Sequence, residues 1–347
     1  MSSPPSVVVA GAGAVGLCTA LALAEAGFAV VLADGAKRGD NASGIAAGLL
    51  APAFECAMDP IVTPHFEILM EARDLWRSLS QQAGITLDRA GAIAVGEANE
   101  VATWTTSLQN LGVRPRRLNG DEAMSLQPTL RWQGPAVYAQ DDWRLDANEA
   151  LAALEAQAER AGVEHIASDV DEFEPGQTTL ADGRIIRASW LVAATGASAR
   201  LAPELKDLVP IKGQIARVAG TRMLGPVVRA SGLYIAPGSG GILIGATMEP
   251  GQADRKVEAA AIEQLCRSAQ ALMPGLQGAQ AKGFAGVRAA TPDGLPLVGP
   301  SALAGVLVAA GARRNGWLLA PLIARQIVRT LKGEAVGIPS LSASRFS

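Results

Sequence analysis

The sequence predicts an α/β fold, α+β overall, in which a parallel-sheet domain and a smaller antiparallel-sheet domain are built from interleaved segments. Three observations predict it. Near the N-terminus a β-branched run passes directly into a Gly-rich turn and a helical stretch. After Pro210 the chain changes to short strands around Gly-rich turns. Toward the other end a buried strand, a small-residue loop and an apolar-periodic segment restore the earlier character. At 347 residues the chain is longer than one average domain, so two domains are the default.

Val7-Val8-Val9-Ala10 suits a strand buried on both faces. The turn Gly11-Ala12-Gly13-Ala14-Val15-Gly16 follows at once, then a helical stretch over 17–26 and a second strand over 28–33 ending in Asp34. In such a Rossmann-like unit Gly11 permits the tight turn, Gly13 admits a pyrophosphate and Gly16 lets the helix pack on the strands. The helix N-terminus at Ala14 and Val15 then faces the phosphates. Asp34 lies 18 residues beyond Gly16, where a carboxylate accepts bonds from both adenosine-ribose hydroxyls. Lys37 and Arg38 resemble a 2′-phosphate grip, but Asp34 would repel that phosphate. The motif therefore reads as dinucleotide binding, with FAD and NAD both open.

The remaining elements follow in order. Residues 41–52 are small, polar-poor and too Gly-rich for a stable helix start. Residues 68–84 carry an apolar helix period, and 88–96 and 137–140 look strand-like. Asp146-Ala147-Asn148-Glu149 is a capping-box-like start for a helix over 150–161. Asp182-Gly183 turns a β-hairpin, and 190–194 is a buried strand ending at Thr195-Gly196-Ala197. Strands over 214–218, 232–236 and 242–245 precede a helix from about 253 to 272. The block 286–300, a strand over 305–310, the loop 311–316 and a segment over 317–331 complete the chain. Pro321 is tolerable there only if the helix starts late or kinks. The division expected is 1–75, 141–209 and 284–347 for the nucleotide domain, and 76–140 and 210–283 for the substrate domain.

Composition excludes several classes. A net charge of -3 and a pI near 5.6 give no electrostatic case for nucleic acid or anionic membrane. Cys18, Cys56 and Cys266 are far apart and form no metal-ligand spacing, which suits a reduced, cytoplasmic setting and no metal. Residues 7–24 are uncharged over eighteen positions, enough to suggest a membrane span. No Lys or Arg precedes them and three glycines interrupt them, so a strand, turn and helix is the better reading. His65 and His165 are the only histidines, and neither is assigned a catalytic role.

Four blocks together resemble the D-amino-acid oxidase superfamily of FAD-dependent oxidoreductases, and within it the glycine oxidase branch. They are Gly11 to Gly16, Ser43-Gly44-Ile45-Ala46-Ala47-Gly48-Leu49-Leu50-Ala51-Pro52, Thr291-Pro292-Asp293-Gly294-Leu295-Pro296, and Arg314-Asn315-Gly316-Trp317-Leu318-Leu319-Ala320-Pro321. The resemblance implies FAD, with Ser43, Ala46, Ala47, Gly48 and Leu49 passing along the flavin. It implies that Gly311, Arg314, Asn315, Gly316, Trp317 and Leu318 complete the flavin site. Val170 takes the position whose backbone meets adenine, and Thr195-Gly196 forms a second nucleotide-side turn. Arg288 takes the place of the arginine that binds a substrate carboxylate, while Tyr234 and Met248 wall the pocket. Independently, an unpaired guanidinium in the apolar stretch around Arg288 would be costly, which favours a ligand there. Relatives with covalent flavin use a Cys a few residues before the TPD motif; none lies between Phe284 and Thr291, so the FAD is expected to be non-covalent.

The implied reaction is hydride transfer from a substrate Cα to flavin N5, converting glycine, an N-substituted glycine or a small D-amino acid to its imine. The partners expected are that amine or amino acid, and O2, which gives H2O2, or an electron carrier. Homo-oligomerisation is left open. Two alternatives stand beside the oxidase: a dehydrogenase passing electrons to a quinone or carrier, and a catalytically silent flavin-binding subunit. Many relatives carry Arg just after the Tyr-x-x-Pro run and His with an aromatic residue before RNG. Here Gly238 follows Pro237, and Ala312 and Arg313 precede Arg314, so substrate preference is open at the pocket mouth.

Overall fold

The β-branched run Val7 to Val9 has no exposed surface at all, and strand Ser6–Ala10 accordingly sits inside a six-stranded sheet. In this computed structural model, which describes residues 6–334 and 337–346, the strand order is Leu297–Pro300, Val306–Ala310, Trp190–Ala193, Ser6–Ala10, Ala29–Ala33, Glu164–Ile166. All pairs are parallel except the Leu297–Pro300 edge. Helices Ala14–Glu25, Phe66–Ala83, Ala147–Arg160 and Gly316–Leu331 contribute to the core on one face. A three-stranded meander, Val170–Glu174, Gln177–Leu180 and Ile185–Ile186, contributes to the core on the other. The uncharged stretch 7–24 is thus a strand and a buried helix. Among the described residues no helix is long and apolar enough to cross a membrane.

The second sheet has nine strands, running from Glu249–Pro250 through Val209–Ala219, Gly241–Gly245, Leu233–Gly238, Val227–Ala230, Ala92–Val95 and Ala136–Ala139 to Arg116–Leu118. Ala281–Ala290 pairs along Val209–Ala219 as its ninth member. Every pairing is antiparallel but one, Val227–Ala230 against Ala92–Val95. Register decides what meets at the site. Arg288 pairs with Ile211, and Tyr234 pairs with Gly245, so Arg288 and Tyr234 are delivered by strands far apart in sequence.

Three local expectations change. The stretch 41–52 does contain helix: one turn, Ala42–Ile45, capped by Asn41 Oδ1, which accepts from Gly44 N at 3.0 Å. After a short strand, Leu49–Leu50, a second helix, Pro52–Met58, begins with Pro at its start. Its N-terminus is capped from across the chain, by Asp142 accepting from Ala53 N and Phe54 N at 2.8 and 3.1 Å. The helix expected from about 253 begins only at Ala259. Asp254 instead accepts from Lys256 N and pairs with Lys212, and Gln214 Oε1 takes the Glu258 amide, which holds the preceding residues as a turn.

Pro321 lies inside helix Gly316–Leu331. Proline has no N–H, so the carbonyl four residues earlier, that of Trp317, loses its helical donor. The Trp76 indole supplies the replacement, donating to Trp317 O at 2.9 Å. The helix therefore starts early despite the proline, because a second helix repairs the gap.

Candidate active site

Two contiguous cavities share Ala42 and Arg288 in their walls. The larger, about 540 Å³, follows the end of strand Ser6–Ala10 and is lined by Gly11, Gly13, Ala14, Val15, Asp34, Ser43, Val170, Thr195, Gly196, Gly311 and Gly316. Gly11 has φ +104°, and a Cβ there would lie 2.6 Å from the Ala194 carbonyl oxygen. A Cβ on Gly16 would lie 1.7 Å from the Gly11 carbonyl oxygen, so the turn closes only with glycine at both places. Helix Ala14–Glu25 has no side-chain cap at Gly13; Ser43 takes the Ala14 amide, and Val15 at the same positive end lines the cavity.

Asp34 is more constrained than the sequence suggests. Its Oδ2 accepts from Ala12 N at 2.6 Å and its Oδ1 from Ala36 N at 2.8 Å, so it braces the Gly-rich turn while still lining the cavity. Each oxygen keeps a further lone pair for a ribose hydroxyl. Arg38 is turned away to Glu155, which removes it from any 2′-phosphate. A cavity lined by a helix N-terminus, a glycine-only turn and the Asp34 carboxylate fits the adenosine diphosphate half of FAD.

Ser43 joins the two cavities. Its Oγ accepts from Ala14 N at 3.0 Å, and its carbonyl accepts from the Trp317 indole, also at 3.0 Å. A second helix N-terminus, at Gly316 and without a side-chain cap, comes from the helix bearing Trp317. Its positive pole suits the negative charge that a reduced flavin carries near N1 and the C2 carbonyl.

The smaller cavity, about 250 Å³, is walled by Ala46, Ala47, Gly48, Leu49, Tyr234, Met248, Arg288, Arg314, Asn315 and Trp317. Arg288 lies over Gly213, where a Cβ would meet Nη2 at 2.3 Å. Its Nη1 donates to Thr247 O at 3.4 Å and to Met248 Sδ at 3.1 Å. Among the described residues it forms no salt bridge. Burial pushes its pKa down. Burial likewise pushes the Tyr234 phenol up, so its hydroxyl stays protonated.

Arg314 is differently placed. It pairs with Glu55 at 3.2 Å and Asp59 at 3.7 Å, and these carboxylates, Glu55 first, raise its pKa. Glu55 also holds buried Arg229 at 2.7 Å, while Asp59 holds Arg313, whose φ is +49°. Burial alone would raise the Glu55 carboxyl, but the charges of Arg314 and Arg229 hold it at about 2. Glu55 and Asp59 stand one turn apart on Pro52–Met58 and its C-cap, and so present two carboxylates to three arginines. The cavity wall itself carries Arg229, Arg288 and Arg314 against Glu55 alone.

Most residues singled out in the sequence meet at these two cavities. Gly16 and Leu318 line neither: Gly16 packs on Gly11, and Leu318 is fully buried in the core beneath the helix end. Sequence reading missed Glu55, Asp59 and Arg229. The available signals were two acids four apart just beyond the small-residue loop, and one Arg in the apolar run Val227-Val228-Arg229-Ala230. His65 and His165 line neither cavity, and His165 faces Glu155.

Similarity to known proteins runs the length of this architecture. The chain is 30% identical over 341 residues to glycine oxidase of Geobacillus kaustophilus, covering 91% of this chain and 90% of that protein. The crystal structure of glycine oxidase from the same organism superposes with a TM-score of 0.87 at 28% identity, covering 98% of each chain. The bifunctional tRNA 5-methylaminomethyl-2-thiouridine biosynthesis protein MnmC of Caulobacter vibrioides is 29% identical over 94% of this chain but only 54% of its own length. A family model described as FAD dependent oxidoreductase matches residues 6–330, the span that holds both cavities. With both cavities inside that match, the chain belongs to the DAO family of FAD-dependent oxidoreductases and is an FAD enzyme of amine oxidation.

Proposed function

We propose that the protein oxidises glycine, an N-substituted glycine or a small D-amino acid to the imine, with O2 as acceptor and H2O2 as product. The observation that carries this reading is Arg288: a cation in the wall of both cavities with no carboxylate partner among the described residues. A substrate carboxylate supplies the missing charge, and a planar guanidinium is suited to bind it through two parallel bonds. Bound FAD supplies the two-electron acceptor for the Cα hydride. The chain's own groups orient the Cα–H and exclude water. Three arginines against one carboxylate make the wall cationic, which favours the neutral amine over the ammonium. Glu55, held at about 2, is too weak a base to take the amine proton, which leaves to solvent instead.

The FAD is proposed to be non-covalent, since none of Cys18, Cys56 and Cys266 lines either cavity. Their free state suits a cytoplasmic location, which belongs to the same proposal. The domain division given by the sequence, the ribose role of Asp34, the adenine role of Val170 and the pocket roles of Tyr234 and Met248 also stand as proposals. Anaerobic mixing of the yellow holoenzyme with glycine, sarcosine, D-alanine and D-proline tests the reading. Bleaching of the flavin by at least one of them is expected. Bleaching by a secondary amine without a carboxylate, and by none of these four, would contradict it.

A further inference from the structure

We infer that Met248 is an oxidation site through which peroxide weakens carboxylate binding at Arg288. The inference rests on the proposed function for the carboxylate role of Arg288, and takes from the oxidase reading the natural source of the peroxide. Met248 Sδ lies 3.1 Å from Arg288 Nη1, and both side chains face the smaller cavity. Met248 is 37% exposed, whereas Met223 and Met273 are buried and Met58, Met70 and Met124 are half-buried. Among the described methionines, the sulfur that peroxide reaches most readily is therefore the one touching the substrate anchor.

The chemistry balances without another reactant. A sulfur lone pair attacks one peroxide oxygen, the O–O bond breaks, and the second oxygen leaves as water. The thioether is oxidised by two electrons to a sulfoxide and the peroxide is reduced. A thioether is a weak acceptor, but a sulfoxide oxygen is polar and a much stronger one. Formed beside Nη1, it takes the donor that a carboxylate needs and acts as a tethered competitor. The thiols offer no equivalent route. Burial, followed by neighbouring Glu55, pushes the Cys56 thiol up to about 12, Cys18 is buried in the core, and Cys266 belongs to helix Ala259–Leu272, away from both cavities.

Holoenzyme treated with H2O2 and then catalase is the test, read by peptide mass and by two functional measures. These are KM for sarcosine and binding of acetate followed through the flavin spectrum. The expectation is a one-oxygen mass gain on Met248 ahead of the other methionines, with KM and acetate Kd rising about ten-fold, the worth of one charge-assisted bond. Methionine sulfoxide reductase restores both, and dithiothreitol does not. In Met248→Leu the ratio of treated to untreated values stays near unity, whatever that variant's starting activity. Oxidation of Met248 without a change in acetate Kd, or equal sensitivity in Met248→Leu, would overturn the inference. Because peroxide is added, an enzyme that makes none in turnover would refute the oxidase reading and still report on Met248.

Discussion

The two cavities are built from different materials. The larger cavity, proposed to hold the nucleotide, depends on backbone: a Gly-only turn, a helix N-terminus and carbonyls that tolerate no Cβ nearby. The substrate cavity depends on charged side chains gathered from Pro52–Met58, Val227–Ala230, Ala281–Ala290 and the loop before Gly316. Damage to the first should therefore abolish cofactor retention, whereas damage to the second should alter stability or substrate recognition and leave the FAD in place.

The largest effect is expected at the backbone site. Gly16→Ala places a Cβ 1.7 Å from the Gly11 carbonyl oxygen, and only backbone movement relieves it. A loss of about 4 kcal/mol or more is expected, with little FAD retained. Normal FAD content and an unchanged Tm would break the comparison on its nucleotide side.

Next is the buried charge cluster. Glu55→Gln removes the partner of Arg229 and Arg314, and about 3–5 kcal/mol of stability is expected to go with it. The pH sign follows from the direction of the shift. Glu55 is held at about 2, below its unfolded value of roughly 4.3, so its stabilisation is full above the unfolded value and is lost as pH falls toward 2. Denaturant midpoints between pH 5 and 2 should fall more steeply in the parent than in Glu55→Gln. Parallel slopes would remove Glu55 from the cluster's energetics. The smallest effect concerns the repaired helix. Trp76→Phe deletes the donor to Trp317 O and should cost about 1–2 kcal/mol in urea denaturation, with FAD still bound.

The same contrast explains what was legible in the sequence. The nucleotide cavity is local: Gly11, Gly13, Gly16 and Asp34 fall within one strand–helix–strand unit, and their spacing states their geometry. Tyr234 was legible only through the resemblance of distant blocks, and Arg288 through that and the cost of a guanidinium in an apolar stretch, since strand register brings them together. Glu55, Asp59 and Arg229 were not found, because nothing near Glu55 in sequence indicates that an arginine 174 residues away faces it. The helix Pro52–Met58 escaped for a related reason: its cap, Asp142, lies on another segment. Trp76 is the same case for Pro321.

Arg288, left without a counter-charge, is proposed to receive one from a substrate carboxylate. Arg288→Leu tests it directly, by comparing kcat/KM for sarcosine with that for dimethylamine, which lacks the carboxylate. A fall of about 2–5 kcal/mol equivalent is expected for sarcosine, with FAD content unchanged and little change for dimethylamine. Equal losses for the two amines, or no loss for sarcosine, would contradict it.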